Sequence, residues 1–395
     1  MISNRVQNLA PSATLAMSQK SAELKAAGID VINMSVGEPD FNTPDFIKEA
    51  AKKAIDDNFS RYSPVSGYLS LRKAVCEKLQ RENGLTYTPE QIVVGNGAKQ
   101  ELANVILSLI NPNDEVIIPT PAWVSYVEMV KLAEGKSVLV PAGLENDFKI
   151  TPQQLKDAIT PATRLLLLNS PCNPTGSVYS PEELKALAEV LKEYPDIMVM
   201  SDEIYEHINF IDKVSSIAEN EWMKDRTIII NGVSKAYAMT GWRVGYMAAP
   251  LPVAKACTKL QGQYTSGASS IAQKAAEAAY EGPQDCVIEM CEAFRRRRDL
   301  IVELAKDIEG WKVNVPEGAF YLFPDVTYFI GKKYGDFEIK NSGDYVMYLL
   351  QEAHVACVDG EAFCAPGYMR LSYATSDDNI REAMRRIKEA SAKLV

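Results

Sequence analysis

The feature that most limits the fold is a series of short apolar runs separated by segments with helical patterning. Each run is almost entirely apolar, whereas a strand with one solvated face alternates apolar and polar residues. Strands of this kind are covered by helices on both faces. The runs are Gln91–Val94, Glu115–Ile118, Arg164–Leu168, Ile197–Met200, Thr227–Ile230 and Arg243–Met247. The sequence therefore predicts an α/β fold with a mostly parallel sheet between two layers of helices.

The helical segments between these runs carry start and stop signals. Proline is well tolerated at the first position of a helix, as at Pro44, and glycine ends a helix well, as at Gly84. Two capping boxes, Thr151–Gln154 and Ser180–Glu183, mark further helix starts. Helices are therefore predicted over about 43–58, 70–83 and 98–109, and after each capping box.

The pattern changes after about residue 283. A long charged helix is predicted over about 285–309, a second helix over about 343–354 and a last one from Asp377, with strand-like segments at Ala319–Phe323 and Met369–Tyr373. This arrangement is typical of a smaller α+β domain. The predicted division is a large domain over 43–283 and a small domain formed by 1–42 together with 284–395.

Composition excludes several classes of function. The chain has 42 Lys and Arg against 52 Asp and Glu, a formal net charge of −10, which argues against binding nucleic acid. It has two histidines, His207 and His354, and no C-x-x-C pair, so no metal site is expected. His207 is interpreted as a structural histidine in preference to a site residue. The sequence has no apolar run of about 18 residues and no signal peptide, which predicts a cytoplasmic protein without a membrane span.

Four motifs combine polar or glycine residues with the end of an apolar run. They are Gly95–Gln100, Asn169–Gly176, Ser201–Tyr205 and Asn231–Arg243. The first is either a tight turn or an anion site at a helix start, and it is a poor dinucleotide motif because Gln100 replaces the last glycine. Asp202 could simply cap a following helix. Lys235 is unusual for a surface loop because it closely follows an apolar strand.

In this order and spacing, the four motifs resemble the pyridoxal-phosphate-dependent aminotransferases of fold type I. The closest resemblance is to the bacterial aspartate aminotransferases of subgroup Ib, and it extends from Ser35–Phe41 to Arg370–Ala374. It implies a homodimer with shared active sites and pyridoxal 5′-phosphate bound in the large domain. The implied reaction is ping-pong transfer of the amino group from aspartate to 2-oxoglutarate, which gives oxaloacetate and glutamate.

The resemblance also implies the residues that bind the cofactor ring. Lys235 would form a Schiff base with the cofactor and later move the proton at the substrate α-carbon. Asp202 would keep the pyridine nitrogen protonated. Tyr205, assisted by Asn173, would bind the phenolic oxygen, and Trp123 would stack on the ring, although a core aromatic at a helix start is the alternative for Trp123.

The remaining implied contacts hold the phosphate and the substrate. The residues assigned to the phosphate are the backbone of Gly97, Ala98 and Lys99, the side chains of Ser234 and Arg243, and Tyr62 from the neighbouring subunit. Arg370 and Gly37 would bind the substrate α-carboxylate, with Trp123 and Asn173 also near the substrate. Lys99 would pair with the side-chain carboxylate of aspartate or glutamate. A surface position at a strand edge is the alternative for Arg370.

Other functions remain open at this point. The nearest are transamination of prephenate, aromatic or aliphatic acids, and β-elimination on the same cofactor. A ligand-sensing regulator would need a DNA-binding extension, and none is expected because the family motifs begin close to the first residue. A nicotinamide dehydrogenase is disfavoured by the poor glycine motif.

Overall fold

The computed structural model describes residues 2–395. The strands are β1 (Ile32–Asn33), β2 (Ile92–Gly95), β3 (Glu115–Thr120), β4 (Lys136–Pro141), β5 (Thr163–Asn169), β6 (Met198–Asp202), β7 (Thr227–Gly232), β8 (Gly245–Ala248), β9 (Tyr321–Leu322), β10 (Lys333–Tyr334), β11 (Phe337–Glu338), β12 (Val355–Ala356), β13 (Val358–Asp359) and β14 (Met369–Ser372). The α-helices are α1 (Asn4–Gln7), α2 (Ala13–Ala26), α3 (Asp45–Asp56), α4 (Leu69–Lys78), α5 (Ala98–Leu109), α6 (Ser125–Leu132), α7 (Pro152–Ala158), α8 (Pro181–Leu191), α9 (Leu251–Tyr264), α10 (Ser270–Glu281), α11 (Asp285–Ala305), α12 (Ser342–Tyr348) and α13 (Asp377–Ser391).

The main sheet has seven strands in the order β2-β8-β7-β6-β5-β3-β4. The five strands from β4 to β7 run parallel, and β8 runs antiparallel to both of its neighbours, β2 and β7. Every apolar run predicted as a strand lies in this sheet. The predicted α/β fold with a mostly parallel sheet is therefore confirmed.

Alternate residues of each central strand pack into different cores. In β5, Leu165 and Leu167 join one cluster, which includes residues of α5 and α9. Leu166 and Leu168 join another cluster, which includes residues of α7 and α8. Because both faces of β5 are covered, both sets of positions are apolar, and this explains the absence of alternation in the sequence.

A second core unites the C-terminal part with the N-terminal segment. It contains Met17 of α2, Val31 and Ile32, together with buried residues of α11 and α13. β1 pairs in parallel with β12, while β13, β14 and β9 form a three-stranded antiparallel sheet. The beginning of the chain is thus packed against its end.

Several boundaries differ from the predicted ones. The helix predicted over 70–83 is α4 followed by one wider, π-type turn over Leu79–Asn83, after which Gly84 takes a positive φ of 69°. The helix predicted over 343–354 likewise changes to a π-type turn at Leu349–Ala353, and His354 ends it with a φ of 53°. Both capping boxes are confirmed, since Thr151 and Ser180 accept hydrogen bonds from backbone N–H groups three residues later.

The helices of residues 2–395 include none with both the length and the apolar character needed to cross a membrane.

Candidate active site

A cavity of about 290 Å³ lies where the parallel strands end. β5 and β6 end at Asn169 and Asp202, and the C-terminal ends of parallel strands lie at one edge of a sheet. β9 and β14 bring Tyr321 and Arg370 to the same cavity. The predicted site residues that line it are Gly37, Ala98, Lys99, Trp123, Asn173, Asp202, Tyr205, Ser234, Lys235, Arg243 and Arg370. The fold therefore brings together residues that are widely separated in the sequence.

Lys235 lies in the cavity shortly after the end of β7. Its Nζ donates a hydrogen bond of 2.6 Å to the carbonyl oxygen of Gly37. Burial lowers the pKa of Lys235 to about 8, opposed by Glu38 and reinforced by Arg370. A lysine with a lowered pKa has a larger neutral fraction near neutral pH, and the neutral amine is the form that acts as a nucleophile or base.

Asp202 is a buried carboxylate at the end of β6. The Tyr126 hydroxyl donates to its Oδ2 at 2.6 Å, and the backbone N–H of Ile204 donates to its Oδ1 at 3.2 Å. Burial raises the pKa of Asp202 to about 6, although both hydrogen bonds act in the opposite direction. No α-helix follows β6 before Thr227, so the alternative that Asp202 caps a helix is wrong.

Arg370 is buried, so the alternative of a surface arginine is also wrong. Its Nη1 donates to Asn173 Oδ1 at 2.8 Å, and its Nη2 donates to the carbonyl oxygen of Ser35 at 2.6 Å. Its Nε has no hydrogen-bond partner within residues 2–395, which is unusual for a buried polar atom. The loop that holds Asn173 is itself fixed, because Asn173 donates its backbone N–H to Asn169 Oδ1 at 2.8 Å.

The turn before α5 has the features of an anion site. Gly97 has a φ of 82°, and a Cβ at this position would lie 2.3 Å from Nη2 of Arg243. Arg243 also has a positive φ, 59°, and donates to the carbonyl oxygens of Thr240 at 2.7 Å and Asn96 at 3.2 Å. Free N–H groups at the start of a helix together with a guanidinium favour a phosphate or carboxylate.

Lys99 and Trp123 lie together at the edge of the cavity. Lys99 Nζ is 4.6 Å from the centre of the Trp123 ring, a distance at which a cation attracts an aromatic face. Burial, followed by the charge of Arg243, lowers the pKa of Lys99. The Trp123 ring packs edge-on against Tyr126, with 5.3 Å between centres. Trp123 is only partly buried and lines the cavity, which argues against a purely core role.

Two predicted residues do not line this cavity. Gly97 lies in the turn beneath it, with its neighbours Ala98 and Lys99 facing the cavity. Tyr62 is 98% exposed and is not among the residues that line the cavity of its own chain. If Tyr62 takes part in an active site, that site therefore belongs to another molecule.

The structure also adds residues that the motifs did not identify. Tyr321 lines the cavity, and its hydroxyl lies 2.7 Å from that of Tyr205. Tyr126 also lines the cavity, and its contact with Asp202 had no sequence signal. Ser12 and Thr14 reach the cavity from the start of α2, where the only signal was that Ser12 is a good helix cap.

His207 lies outside the cavity, as its interpretation as a structural residue predicts. Its Nε2 is 2.8 Å from Glu82 Oε2. Glu82, Glu206 and His207 place three ligand atoms within 4.8 Å of one another. The buried ammonium of Lys78 already pairs with both carboxylates, so this group forms an ion-pair network.

Over residues 29–387 the sequence matches the family model described as Aminotransferase class I and II. The chain belongs to this family. It is 48% identical to the aspartate/prephenate aminotransferase of Nitrosomonas europaea, with 98% of each chain covered. It is 43% identical to the aspartate aminotransferase of Rhizobium meliloti, whose structure superposes over the full length of both chains with a TM-score of 0.97. An aspartate aminotransferase from Thermus thermophilus solved with maleate is 41% identical over 99% of each chain, with a TM-score of 0.92.

The protein is therefore an aminotransferase with the aspartate-aminotransferase-like fold of fold type I. The family resemblance and the fold class stated from the motifs are both confirmed. The cavity is the place in this aminotransferase where lysine, aspartate and two arginines converge.

Proposed function

We propose that this aminotransferase uses pyridoxal 5′-phosphate and transfers the amino group of aspartate to 2-oxoglutarate by a ping-pong mechanism. The products would be oxaloacetate and glutamate. The observation that carries the proposal is the convergence of Lys235, Asp202, Arg243 and Arg370 on one cavity. The small-molecule substrates are thus an amino acid and a 2-oxo acid.

The donor set fits the cofactor. The start of α5, the Ser234 hydroxyl and the Arg243 guanidinium supply donors for a phosphate, and Gly97 leaves space for Arg243 where a side chain would collide with it. Asp202 offers a buried carboxylate for a protonated ring nitrogen. Tyr205 and Asn173 offer polar groups beside it, and Trp123 offers an aromatic face.

When bound, pyridoxal phosphate supplies an aldehyde that accepts the amino group and a ring that withdraws electrons from the substrate α-carbon. Lys235 would hold the cofactor through Nζ and then carry the proton to and from the α-carbon. Its lowered pKa suits both roles, because each requires the neutral amine. Asp202 would stay ionised against the ring nitrogen, since a neighbouring positive charge stabilises a carboxylate.

Substrate binding rests on two cationic groups. Arg370 has a buried Nε without a partner, and an incoming α-carboxylate supplies an acceptor for a guanidinium held in this way. Gly37 lies beside it, and a Cβ there would be 2.2 Å from the Tyr321 hydroxyl, so a larger residue would narrow this part of the site. Lys99 would pair with the second carboxylate of a dicarboxylic substrate.

Prephenate is the second candidate substrate, because relatives of this chain are named aspartate/prephenate aminotransferases. Prephenate also carries two carboxylates, so the same pair of cations can bind it. A panel of amino donors with 2-oxoglutarate, and of 2-oxo acids with glutamate, tests these substrates. Release of pyruvate from a cysteine conjugate without any 2-oxo acid would instead show a β-lyase.

We further propose that the enzyme is a cytoplasmic homodimer with shared active sites. The support is Tyr62, which is almost fully exposed and faces no part of its own cavity. In a dimer it would donate to the cofactor phosphate of the neighbouring subunit. Residues 43–283 would form the large cofactor-binding domain, and 1–42 with 284–395 the small one, in keeping with the pairing of β1 and β12.

A further inference from the structure

The exposed Tyr62 lies on a loop, Arg61–Gly67, that is fixed to the protein on both sides of the tyrosine. On one side, Ser270 Oγ donates to the carbonyl oxygen of Arg61 at 2.9 Å. On the other side, Ser63 Oγ donates to the carbonyl oxygen of Ala268 at 3.2 Å. Hydrogen bonds therefore hold the loop on both sides of Tyr62, although the tyrosine side chain itself is almost fully exposed.

Two fully buried glutamines hold this loop from beneath. Gln273, on α10, donates from Nε2 to Ser63 Oγ at 2.9 Å and to the carbonyl oxygen of Ala268 at 2.8 Å. Its Oε1 accepts the backbone N–H of Tyr68 at 2.8 Å. Both ends of the amide are therefore satisfied: one of its three bonds goes to Ser63, next to Tyr62, and another to Tyr68, the residue that follows the loop.

Gln261, on α9, forms the second attachment. Its Nε2 donates to the carbonyl oxygens of Val65 at 2.8 Å and Val94 at 2.9 Å. Its Oε1 accepts from Asn104 Nδ2 at 2.9 Å, and Asn104 lies on α5, the helix whose first turn faces the cavity. The loop is thus joined to the strand and helix that surround the anion-binding turn.

Close packing at Gly267 supports the same interpretation. A Cβ at Gly267 would lie 2.3 Å from Ser63 Oγ and 2.8 Å from the carbonyl oxygen of Pro64, so only glycine lets the loop lie this near to the chain between α9 and α10. Buried glutamines with every donor and acceptor in use specify one arrangement of the groups they join. An exposed loop that needed only solubility would not require such an arrangement.

We propose that Gln273 and Gln261 are positioning residues that pre-organise the Arg61–Gly67 loop so that Tyr62 reaches the cofactor phosphate of the neighbouring subunit. This inference rests on the proposed function, in which the enzyme is a dimer and Tyr62 crosses the interface. If the loop already fixes the position of Tyr62 before the dimer forms, the tyrosine loses less conformational entropy when it binds the phosphate. The glutamines act only through Tyr62 and touch neither cofactor nor substrate.

The test is a double-mutant cycle read as cofactor affinity. The variants are Gln273→Met, Tyr62→Phe and the pair together, each purified with the cofactor and dialysed against pyridoxal phosphate over nanomolar to micromolar concentrations. Bound cofactor is measured by its visible absorbance. Gln153→Leu serves as control, because Gln153 is an exposed helical glutamine whose side chain bonds only to Asp157.

We expect Tyr62→Phe to raise the dissociation constant about tenfold, which is the effect of one hydrogen bond to a charged group. Gln273→Met should raise it about fivefold in the original protein and less than twofold in the Tyr62→Phe background, because coupled residues are not additive. If Gln273→Met lowers the yield of folded protein, Ser63→Ala replaces it, since this change leaves the buried glutamine in place and removes the hydroxyl that accepts from Gln273 and donates to Ala268.

The opposing results are distinct. An equal effect of Gln273→Met in both backgrounds would show that the glutamine acts through general stability, and it would overturn the inference. An effect of Tyr62→Phe with none from Gln273→Met or Ser63→Ala would also overturn it, while leaving the proposed dimer intact. No effect of Tyr62→Phe, together with sedimentation as a monomer, would reject the shared site in the proposed function itself.

Discussion

Replacing Arg370 by lysine should keep the positive charge in the cavity but remove the planar guanidinium that is proposed to bind the substrate α-carboxylate. In the structure Nη1 and Nη2 are anchored on Asn173 and on the carbonyl oxygen of Ser35. The guanidinium is therefore oriented before the substrate arrives, and its remaining N–H groups include the unpartnered Nε. A lysine ammonium has three donors on a flexible stem and no planar pair of donors.

The magnitude follows from the loss of one of two charge-assisted hydrogen bonds to the α-carboxylate. Such a bond contributes about 1.5 to 3 kcal/mol. Since about 1.4 kcal/mol corresponds to a factor of ten, kcat/KM should fall by about 10- to 150-fold in Arg370→Lys. The fall should be similar for aspartate and for 2-oxoglutarate, because both substrates have an α-carboxylate.

The assay is steady-state kinetics of each half-reaction, with the cofactor content checked from the visible absorbance. Arg385→Lys is the matched control, because Arg385 is an exposed arginine on α13 that pairs only with Glu382 and Glu389. A change below threefold in Arg370→Lys would refute the proposed contact. A large change for only one of the two substrates would place Arg370 on the substrate side chain instead.

Two further predictions concern other charged residues. Lys99→Ala should lower kcat/KM for aspartate and glutamate by about tenfold or more, because these dicarboxylates lose an ion pair. For an aromatic amino acid, kcat/KM should stay within about threefold of its original value. An equal loss for both classes of substrate would contradict the role given to Lys99. Glu101 is fully buried near the start of α5, and burial raises its pKa to about 8. Between about pH 4.5 and 8, Glu101 therefore keeps its proton in the folded state but loses it in the unfolded state. Stability contributed by this site is therefore lost as pH rises from about 4.5 to 8, and Glu101→Gln should raise the free energy of unfolding by about 2 to 4 kcal/mol at pH 8 with little change at pH 4. Urea unfolding at both pH values measures this difference, and an equal effect at the two would count against a neutral Glu101.

The fold was predictable because the central strands are covered on both faces. Leu165 to Leu168 are all buried, with alternate residues in two different cores, and this arrangement leaves an unbroken apolar run. Strand β4 was not predicted from the sequence, because it is not covered on both faces as the central strands are. It lies at the edge of the sheet, Leu139 is 43% exposed, and its sequence shows neither a continuous apolar run nor clear alternation.

Helix ends were less predictable than helix positions. The residues of the π-type turn Leu79–Asn83 continue the pattern of α4, so only Gly84 showed where the segment stops. The widening of the turn coincides with the buried network in which Lys78 Nζ and Asn83 Nδ2 both donate to Glu206. That partner is more than a hundred residues away, and no local pattern reveals it.

The same distinction applies to the site. Asp202 lies at the end of β6 and Lys235 shortly after β7, where ligands bind in this class of fold. Position alone left Asp202 open as a helix cap, and the roles of both residues came from the family resemblance. Tyr321 and Ser12 reach the cavity only through the packing of the N- and C-terminal parts of the chain. A tyrosine inside a short apolar strand and a serine at a helix start are common, so neither residue type pointed to the site.

The visible absorption spectrum of the purified protein tests the central claim most directly. If Lys235 binds pyridoxal phosphate covalently, the protein will show a visible band that changes with pH and is lost on treatment with borohydride, and peptide mapping will then find the reduced cofactor on Lys235. Lys235→Ala should bind the cofactor without this covalent link. A protein that stays colourless after pyridoxal phosphate is added, or one whose reduced cofactor maps to a different lysine, would contradict the account.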